Sequence, residues 1–554
     1  MASDSEAFTT SARTRGDKAW QSVRRFLVQH WPTLAFLLIA LGIWAWVSWE
    51  AVYLRMVTWE GGADYWEHSA TLHAFIDNPF HPRHPHLDTN GGSPRFGPQF
   101  LFVALLCRAL HWDALGAMSL TAVLNTLLFL CGVRAFFWNY FRHPLAPLYG
   151  LLVMFGGWWV GFHYSNVYAL PVFFSVSAFP STTALGLTLL GFALVLRLLR
   201  AEFARSWPAL LLLGVWAAAV FIIHPLTAVM SISGALLLAF VQPNVTWRTR
   251  AEVAAAIVIG CALSHFWPYY SPWVVIRGGH GQDVGWAAES VKQAADLHVK
   301  RKLHQFYEPR GLVSALGLGL LTLLTLPWFF LKRERWFVAL GALSMGLPFV
   351  ANAFVELPLG HRFVLLAIVY LHIGVVWLLL AITPSYFGAF AWVRRRWLGV
   401  AVSVVAALTL LVFFTHSVLV AREPQLSRKF TRPESPVISN MRAIADAAGP
   451  GAVVLANPLL SWPLPTFGPK VIALYHEDPL VSDAEQREIA VKRVLAPWVD
   501  DSERSQILAR YHVSHVLLGR EGGAVLRFLS KTASVRAVGT GYHLYTLSPA
   551  AKNP

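Results

Sequence analysis

A chain of 554 residues that is 56% hydrophobic and only 14% charged, with a mean hydropathy of +0.49, is too apolar for a soluble domain of ordinary composition. Apolar runs near the length of a bilayer crossing recur along it, so it reads as a polytopic membrane protein. The formal charge of +15 comes from basic residues clustered between those runs, and no nucleic-acid motif is present, which excludes a nucleic-acid partner.

Residues 1–30 are polar, carry the basic stretch Arg13 to Arg25 and read as a cytoplasmic tail. The first span runs from about Trp31 to Tyr53. It lacks a small-residue cleavage signal and reads as an uncleaved anchor. The loop 54–97 then falls on the exterior face. Between Thr58 and Phe96 it holds three Asp, two Glu and five His, groups that are costly beside a membrane unless solvated, paired or used. The pattern predicts a short interfacial helix over Asp64 to Ile76, with Asp64, Glu67, His68 and Thr71 on one face. The Pro-rich stretch Asn78 to Pro98 reads as an irregular loop. Its His81, His84 and His86 match no standard metal spacing and read as solvated side chains.

Further apolar runs cover 97–112, 114–137, 145–162, 179–197, 207–223, 226–241, 251–270, 311–331, 336–355, 360–381 and 396–416. Basic clusters at Arg197 to Arg205, Arg248 and Arg250, Lys332 to Arg335 and Arg394 to Arg396 mark the inner loops. Four polar segments then share the exterior face: the first loop, the His224-Pro225 corner, the loop 271–310 and the turn Glu356 to Arg362. With 163–180 as an extra short or broken span, 11–13 transmembrane helices are expected and 13 preferred. The transmembrane domain occupies 31–420. The three cysteines, Cys107, Cys131 and Cys261, lie inside apolar runs and offer neither a disulfide framework nor a metal site.

From about Arg422 the composition changes, and 421–554 reads as a small soluble α/β domain on the exterior side. VISNMRAIADAAG, DAEQREIAVKRVLAP and DSERSQILARYH read as helices, and GAVVLANP, KVIALYH, VSHVLLG and YHLYTLS as strands. No P-loop, dinucleotide fingerprint or zinc spacing occurs in it.

The layout of inward N-terminus, first span and long acidic exterior loop resembles the GT-C superfamily of integral membrane glycosyltransferases. SPRFGPQFLFVALLCRAL is similar to the Pro-led second span of those enzymes, and LPLGHRFVLLAIVYLHIG to a late span led by an exterior Arg. PGAVVLANP, ILARYHVSHVLLG and GYHLYTLS look like the exterior domain of many bacterial members. The resemblance implies a cell-envelope transferase of the bacterial inner membrane, with its C-terminal domain in the periplasm. Such an enzyme takes a sugar from a polyprenyl-phosphate-linked donor to a glycan, lipid or protein acceptor on the outer face, inverting the anomeric centre. It maps the family's catalytic acid onto Asp64. The family often has two nearly adjacent acids there; here Tyr65 follows Asp64, and Glu60 and Glu67 are the alternative acids.

As a general base, Asp64 would take the acceptor hydroxyl proton; as plain structure it would cap the helix. Glu67, His68 and His73 are candidates for acceptor, phosphate or metal contact, against hydrogen-bonded structure. At the end of a late span, His361 and Arg362 suit a carrier phosphate, against a snorkelling Arg paired with Glu356. His224 either touches substrate or satisfies backbone freed by Pro225. Tyr269 opens the second exterior loop and is a further substrate-side candidate. The basic stretch from Arg277 to Arg310 is either a solvated helix face or a flap over the carrier phosphate. No cofactor is certain; no two-carboxylate metal motif is evident, and a divalent metal stays open. The competing readings are an oligosaccharyltransferase or ligase of the same fold, a lipid-linked glycan flippase and an envelope scaffold. Polar residues gathered on one face, without an inverted repeat, count against the flippase.

Overall fold

The computed structural model describes residues 26–27, 29–53, 57–58, 63–159, 164–200, 207–276, 307–355, 357, 359–383, 396–422, 430–431, 436–476, 478–519, 523–538 and 541–548. The expected candidates Glu60 and Glu356, and the stretch 277–306, lie outside these residues.

The chain folds as a mostly helical bundle with a small α/β domain at its C-terminal end. Among the described residues six helices are long and apolar enough to cross a membrane: α1 (Gln29–Val52), α4 (Ala114–Phe141), α7 (Pro180–Leu199), Trp247–Phe266, Gly360–Ile382 and Ala401–Arg422. Shorter apolar helices are α3 (Pro98–Leu110), α5 (Ala146–Gly156), α8 (Trp207–Ile223) and α9 (Pro225–Val241). The helix starting at Trp247 is α10 (Trp247–Leu263), followed by a turn of tighter helix. Close approach in the bundle relies on small residues: a Cβ on Gly132 of α4 would meet the Gly186 carbonyl oxygen of α7 at 2.7 Å.

Two expected spans take another form. The run 311–331 is broken into Pro309–Leu316, Gly319–Leu324 and Leu326–Phe330. Gly317, at φ +48°, turns the chain at the first break, and Leu318 N–H donates to the Gly157 carbonyl at 2.7 Å just beyond α5. Trp159 N–H in turn donates to the Ser314 carbonyl at 3.1 Å. Two interrupted segments thus satisfy each other's freed backbone groups, as irregular backbone buried in a membrane protein requires. Among its described residues, the stretch 163–180 contributes the short α6 (Leu170–Val176) and the first residue of α7.

The C-terminal sheet has the order β4-β3-β5-β7-β6, with β3 (Val453–Leu455), β4 (Lys470–Val471), β5 (His515–Leu518), β6 (Ala533–Val538) and β7 (Tyr542–Leu547). β3 runs parallel to β4 and β5, while β7 lies antiparallel between β5 and β6. Two backbone pairings tie this domain to the chain around the first span. β1 (Val57–Thr58) pairs with β2 (Phe430–Thr431), and Leu87 of the first loop bridges to Val471 at the β4 edge. Lys470 Nζ donates to the carbonyls of His84 (2.8 Å) and Pro85 (3.1 Å), and burial pulls its pKa down to about 8. The apolar core of the bundle continues without a gap through Leu87, Trp462, Val471 and Leu474 of this contact. The C-terminal domain is therefore seated on the first loop, which fixes what surrounds the helix Ala63–Asp77.

Candidate active site

The expected interfacial helix is α2 (Ala63–Asp77). Its first turn presents Asp64 and its second Glu67 and His68. Tyr65, Trp66, Leu72 and Phe75 fill the other sides and are buried, so the polar face cannot rotate away.

Asp64 and Glu67 are brought together by His476, which comes from the C-terminal domain. His476 Nδ1 lies 3.4 Å from Asp64 Oδ1 and 3.5 Å from Glu67 Oε2. The two carboxylates differ in setting. The Asp64 side chain is 45% exposed and that of Glu67 only 8%. Glu67 is also paired with Arg95, from the loop just before α3. Burial opposes ionisation of Glu67, but Arg95 and His476 outweigh it and hold the group well below the usual carboxylate range. Burial likewise opposes a charge on His476, yet the hydrogen bond to Glu67 and the nearby Asp64 raise its pKa above the ordinary 6.5.

Arg95 is itself held from behind. Its guanidinium stands 3.8 Å from Asp478 Oδ2. Asp478 is buried, and it accepts from Ser93 Oγ at 2.8 Å and from its own turn at Leu480 N–H, 3.0 Å. The His84 ring completes this set. Its Nδ1 accepts the N–H groups of His86 (3.2 Å) and Leu87 (3.0 Å), so the ring proton sits on Nε2 and is donated to Asp478 at 3.3 Å. His86 stacks on Trp462 with ring centroids 4.0 Å apart. Contrary to the expectation of solvated loop histidines, His84 and His86 are buried under the C-terminal domain; His81 alone is exposed. Proline-rich spacing concealed this, because the partners lie 394 residues away for His84 and Asp478.

The remaining candidates divide. His68 packs between Phe100 and Phe179, and its buried Nδ1 has no hydrogen-bond partner among the described residues. His224 caps α9: its Nδ1 accepts from Thr227 N–H at 3.2 Å and lies 2.8 Å from Thr227 Oγ1. This is the structural role weighed for it, but it also lies within electrostatic reach of both His68 and Arg362. Arg362 ends the turn Gly360–Arg362 that leads into the helix Phe363–Ile382. Its guanidinium lies 5.8 Å from the Tyr164 ring centre, and its buried Nε has no partner among the described residues. The turn rests on a non-glycine residue in left-handed backbone, Leu359 at φ +56°, a conformation that costs about 1–2 kcal/mol. His361 lies against the same Tyr164 ring at 6.5 Å. His224 thus lies within electrostatic reach of Arg362 on one side and of His68 beside Glu67 on the other, with no hydrogen bond or ion pair among these three in the described residues. Tyr269 and His73 do not join them. Tyr269 packs on Phe75 and Phe96 and donates to the Pro79 carbonyl at 2.7 Å. His73 faces Gly468 of the C-terminal domain.

Arg95, His476 and Asp478 were not among the residues singled out from the sequence. A usable signal was present: the run KVIALYHEDP ends an apolar segment in His and two acids, and ligand sites gather at the carboxyl ends of strands in α/β sheets. The run forms only the two-residue β4, and His476 sits in irregular chain beyond it.

Asp64, Glu67 and His476 offer ligand atoms within 4.8 Å of one another, which raises the question of a divalent cation. As arranged, Glu67 answers to Arg95 and His476 Nδ1 lies within reach of both carboxylates, so a cation here would compete with that ion pair and release a proton on binding.

The His476 contact carries a pH prediction. A group whose folded pKa is raised stabilises fully below its unfolded value and loses that contribution as pH rises through the folded one. The seating of His476 on α2 is therefore complete below 6.5 and weakens as pH climbs past its raised pKa. Glu67, held low, contributes above its ordinary 4.5 and loses its part only in stronger acid. Thermal melting followed from pH 5.5 to 9 should fall on the alkaline side, and His476→Gln, which cannot titrate, should flatten that limb.

No protein-family model matches this chain, and no curated protein resembles it closely enough to count as a relative. Solved structures share its fold. The chain superimposes on ArnT from Cupriavidus metallidurans in the apo state with a TM-score of 0.53 over 95% of this chain and 99% of that one, at 14% identity. It also superimposes on the mycobacterial arabinofuranosyltransferase AftD with a TM-score of 0.52 and 13% identity, over 94% of this chain and 40% of that one. The fold is that of the GT-C integral membrane glycosyltransferases, as the sequence resemblance implied.

Proposed function

We propose that the protein is an inverting membrane glycosyltransferase. In this reading a sugar passes from a polyprenyl-phosphate-linked donor to an acceptor hydroxyl, with Asp64 as general base. The observation that carries it is the unequal setting of the two carboxylates of α2. Glu67 is buried, clamped by Arg95 and held ionised far below neutral pH, which makes it a poor proton acceptor. Asp64 has the same histidine for orientation but keeps an open side toward incoming substrate. In the reaction the acceptor oxygen bonds to the anomeric carbon as the bond from that carbon to the phosphate oxygen breaks. The hydroxyl proton goes to Asp64. The electron pair leaves with the phosphate, which needs little acid help. Displacement from the face opposite the phosphate inverts the centre.

Arg362 suits the departing phosphate: a planar, always charged fork whose buried Nε has no partner among the described residues, on a turn entered through left-handed backbone at Leu359. A lateral cavity of about 670 Å³ supports a lipid-linked donor. It lies between the start of α3, α8 and α10, lined by Pro98, Gly214, Ala218, Ile222, Gly260 and Trp267 among others. Trp267 Nε1 donates to the Phe96 carbonyl at 2.7 Å, which places the upper wall one residue from Arg95. Apolar chain in such a cleft, with its phosphate near the α2 face, matches the chemistry of a polyprenyl carrier. ArnT and AftD share this fold, which supports the same reaction class; AftD is named as an arabinofuranosyltransferase. The exterior placement of the C-terminal domain and the span count preferred from the sequence belong to this reading.

The test is to incubate purified protein with a panel of polyprenyl-phosphate sugars and a cell-envelope extract as the source of acceptor hydroxyls, and follow release of free polyprenyl phosphate. Arg362→Gln should raise the donor KM more than tenfold with a smaller change in kcat. No release from any donor, or an Arg362→Gln enzyme with unchanged donor KM, would count against the assignment.

A further inference from the structure

The end of the bundle opposite Asp64 holds a second cluster that the proposed reaction does not use. α4 has 28 residues and, at about 1.5 Å per residue, carries the chain about 40 Å from its cap at Asp113 to Tyr140 near its last turn. Four segments meet there: the end of α4 at Tyr140, the end of α7 at Arg200, the turn Arg333–Arg335, and Trp377 of the helix Phe363–Ile382.

Arg335 is the centre of the cluster. It is 7% exposed. Its guanidinium carbon lies 3.5 Å from the Trp328 ring centre and 5.6 Å from that of Trp377. Among the described residues its hydrogen bonding is one long contact, 3.5 Å, from a terminal nitrogen to the Trp328 carbonyl, and its buried Nε has no partner there. Arg250, toward the same end of the bundle, shows how this chain otherwise satisfies a buried guanidinium: it donates to the carbonyls of Ala239, Phe240 and Gln242. Arg335 has no such set of oxygens among the described residues. Tyr140 Oη donates to the Glu334 carbonyl at 3.0 Å and receives Trp377 Nε1 at 3.4 Å. Arg200, Arg335 and Glu334 all act electrostatically on that hydroxyl, and Arg142 acts on Arg200. Two guanidinium groups, Arg335 and Arg200 (which also donates to the Asn139 carbonyl), therefore act on the same hydroxyl as one acid, and that acid, Glu334, is exposed and forms no ion pair among the described residues.

We propose that this cluster binds the phosphate of an anionic phospholipid, with Arg335 and Arg200 as its ligands. A buried positive charge without an anion is unfavourable, and a guanidinium fork matches two phosphate oxygens. Trp328 holds the fork flat, so little freedom is lost on binding. A lipid rather than a free anion fits the place. Leu324, Phe330 and Leu331 beside the cluster are exposed, which gives acyl chains a surface to lie on. By the distribution of Lys and Arg this end faces the cytoplasm, whose leaflet carries the negative lipids.

The test uses the full chain in detergent micelles, titrated with phosphatidylglycerol or phosphatidylcholine of identical acyl chains. Bound lipid is counted by native mass spectrometry and melting is followed in parallel. Phosphatidylglycerol should stay bound and raise the melting temperature where phosphatidylcholine does not, and Arg335→Gln should weaken its binding at least tenfold. Should Arg335→Gln fail to fold, Arg200→Gln, which is less buried, should lower phosphatidylglycerol retention several-fold. Equal retention of the two lipids, or retention unchanged in the folded variant, would overturn the site. Inorganic phosphate reproducing the same Arg-dependent shift would also overturn it, as a free-anion site.

Discussion

Asp64→Asn should lower sugar transfer by about a hundred- to ten-thousand-fold, the range expected for loss of a general base. The same variant should melt within a degree or two of the parent. Asparagine is isosteric and can still meet His476, and the Asp64 side chain is 45% exposed, so little buried charge is left unbalanced. Glu67→Gln should behave in the opposite sense. It removes the charge that holds Arg95 and His476 in a nearly closed site, so its first effect is on stability and its effect on transfer follows from the loosened His476. Measuring both variants for initial rate and melting temperature separates the two acids. A scaffold would tolerate Asp64→Asn, and a flippase would still move lipid-linked glycan across the bilayer with it. If Glu67→Gln abolishes transfer without loss of stability while Asp64→Asn does not, the base has been misassigned.

The second large effect is expected at Arg95. Its guanidinium is the cation shared by Glu67 and Asp478, whose side chains are 8% and 4% exposed. Arg95→Leu removes that cation from both at once, leaving Glu67 with His476 alone and Asp478 with His84, Ser93 and Leu480. Leaving a buried charge without its partner costs about 3–5 kcal/mol, and the loss should appear as a lower melting temperature and as easier proteolytic release of the C-terminal domain. Transfer should fall with it, since His476 reaches Asp64 only while that domain is seated. The double variant Arg95→Leu with Glu67→Leu should recover part of the lost stability, because one of the two stranded carboxylates is gone; a double-mutant cycle isolates that share. Independent, additive losses would mean that the two residues do not act as a pair.

Much of this molecule was legible before any coordinates. The apolar runs found α4, α7, α8 and α9 to within a few residues at most ends, because bilayer-length hydropathy is a property of the chain itself. The interfacial helix was expected at Asp64 to Ile76 and spans Ala63–Asp77, and the face carrying Asp64, Glu67 and His68 follows from helical spacing alone. The run 311–331 was read as one span and is three pieces, because hydropathy does not register that Gly317 turns the chain against Gly157. In the C-terminal domain four strands were anticipated, while β6 was missed: its edge position leaves ASVRAV mostly exposed, without the buried face that makes a strand stand out.

The sequence by itself determined which segments are long and apolar enough to cross a membrane, which polar segments carry the acids and which the arginines, and that an α/β domain follows. Those are matters of local composition and period. Only the tertiary structure decided that Glu67 is a clamped acid and Asp64 the open one, that His84 and His86 are buried, and that His476 and Asp478 belong to the first loop's chemistry. Ionic partners are chosen by proximity in a place from which water has been excluded. Here that place exists only once the β4 edge has closed over the first loop, joining residues that no local pattern connects.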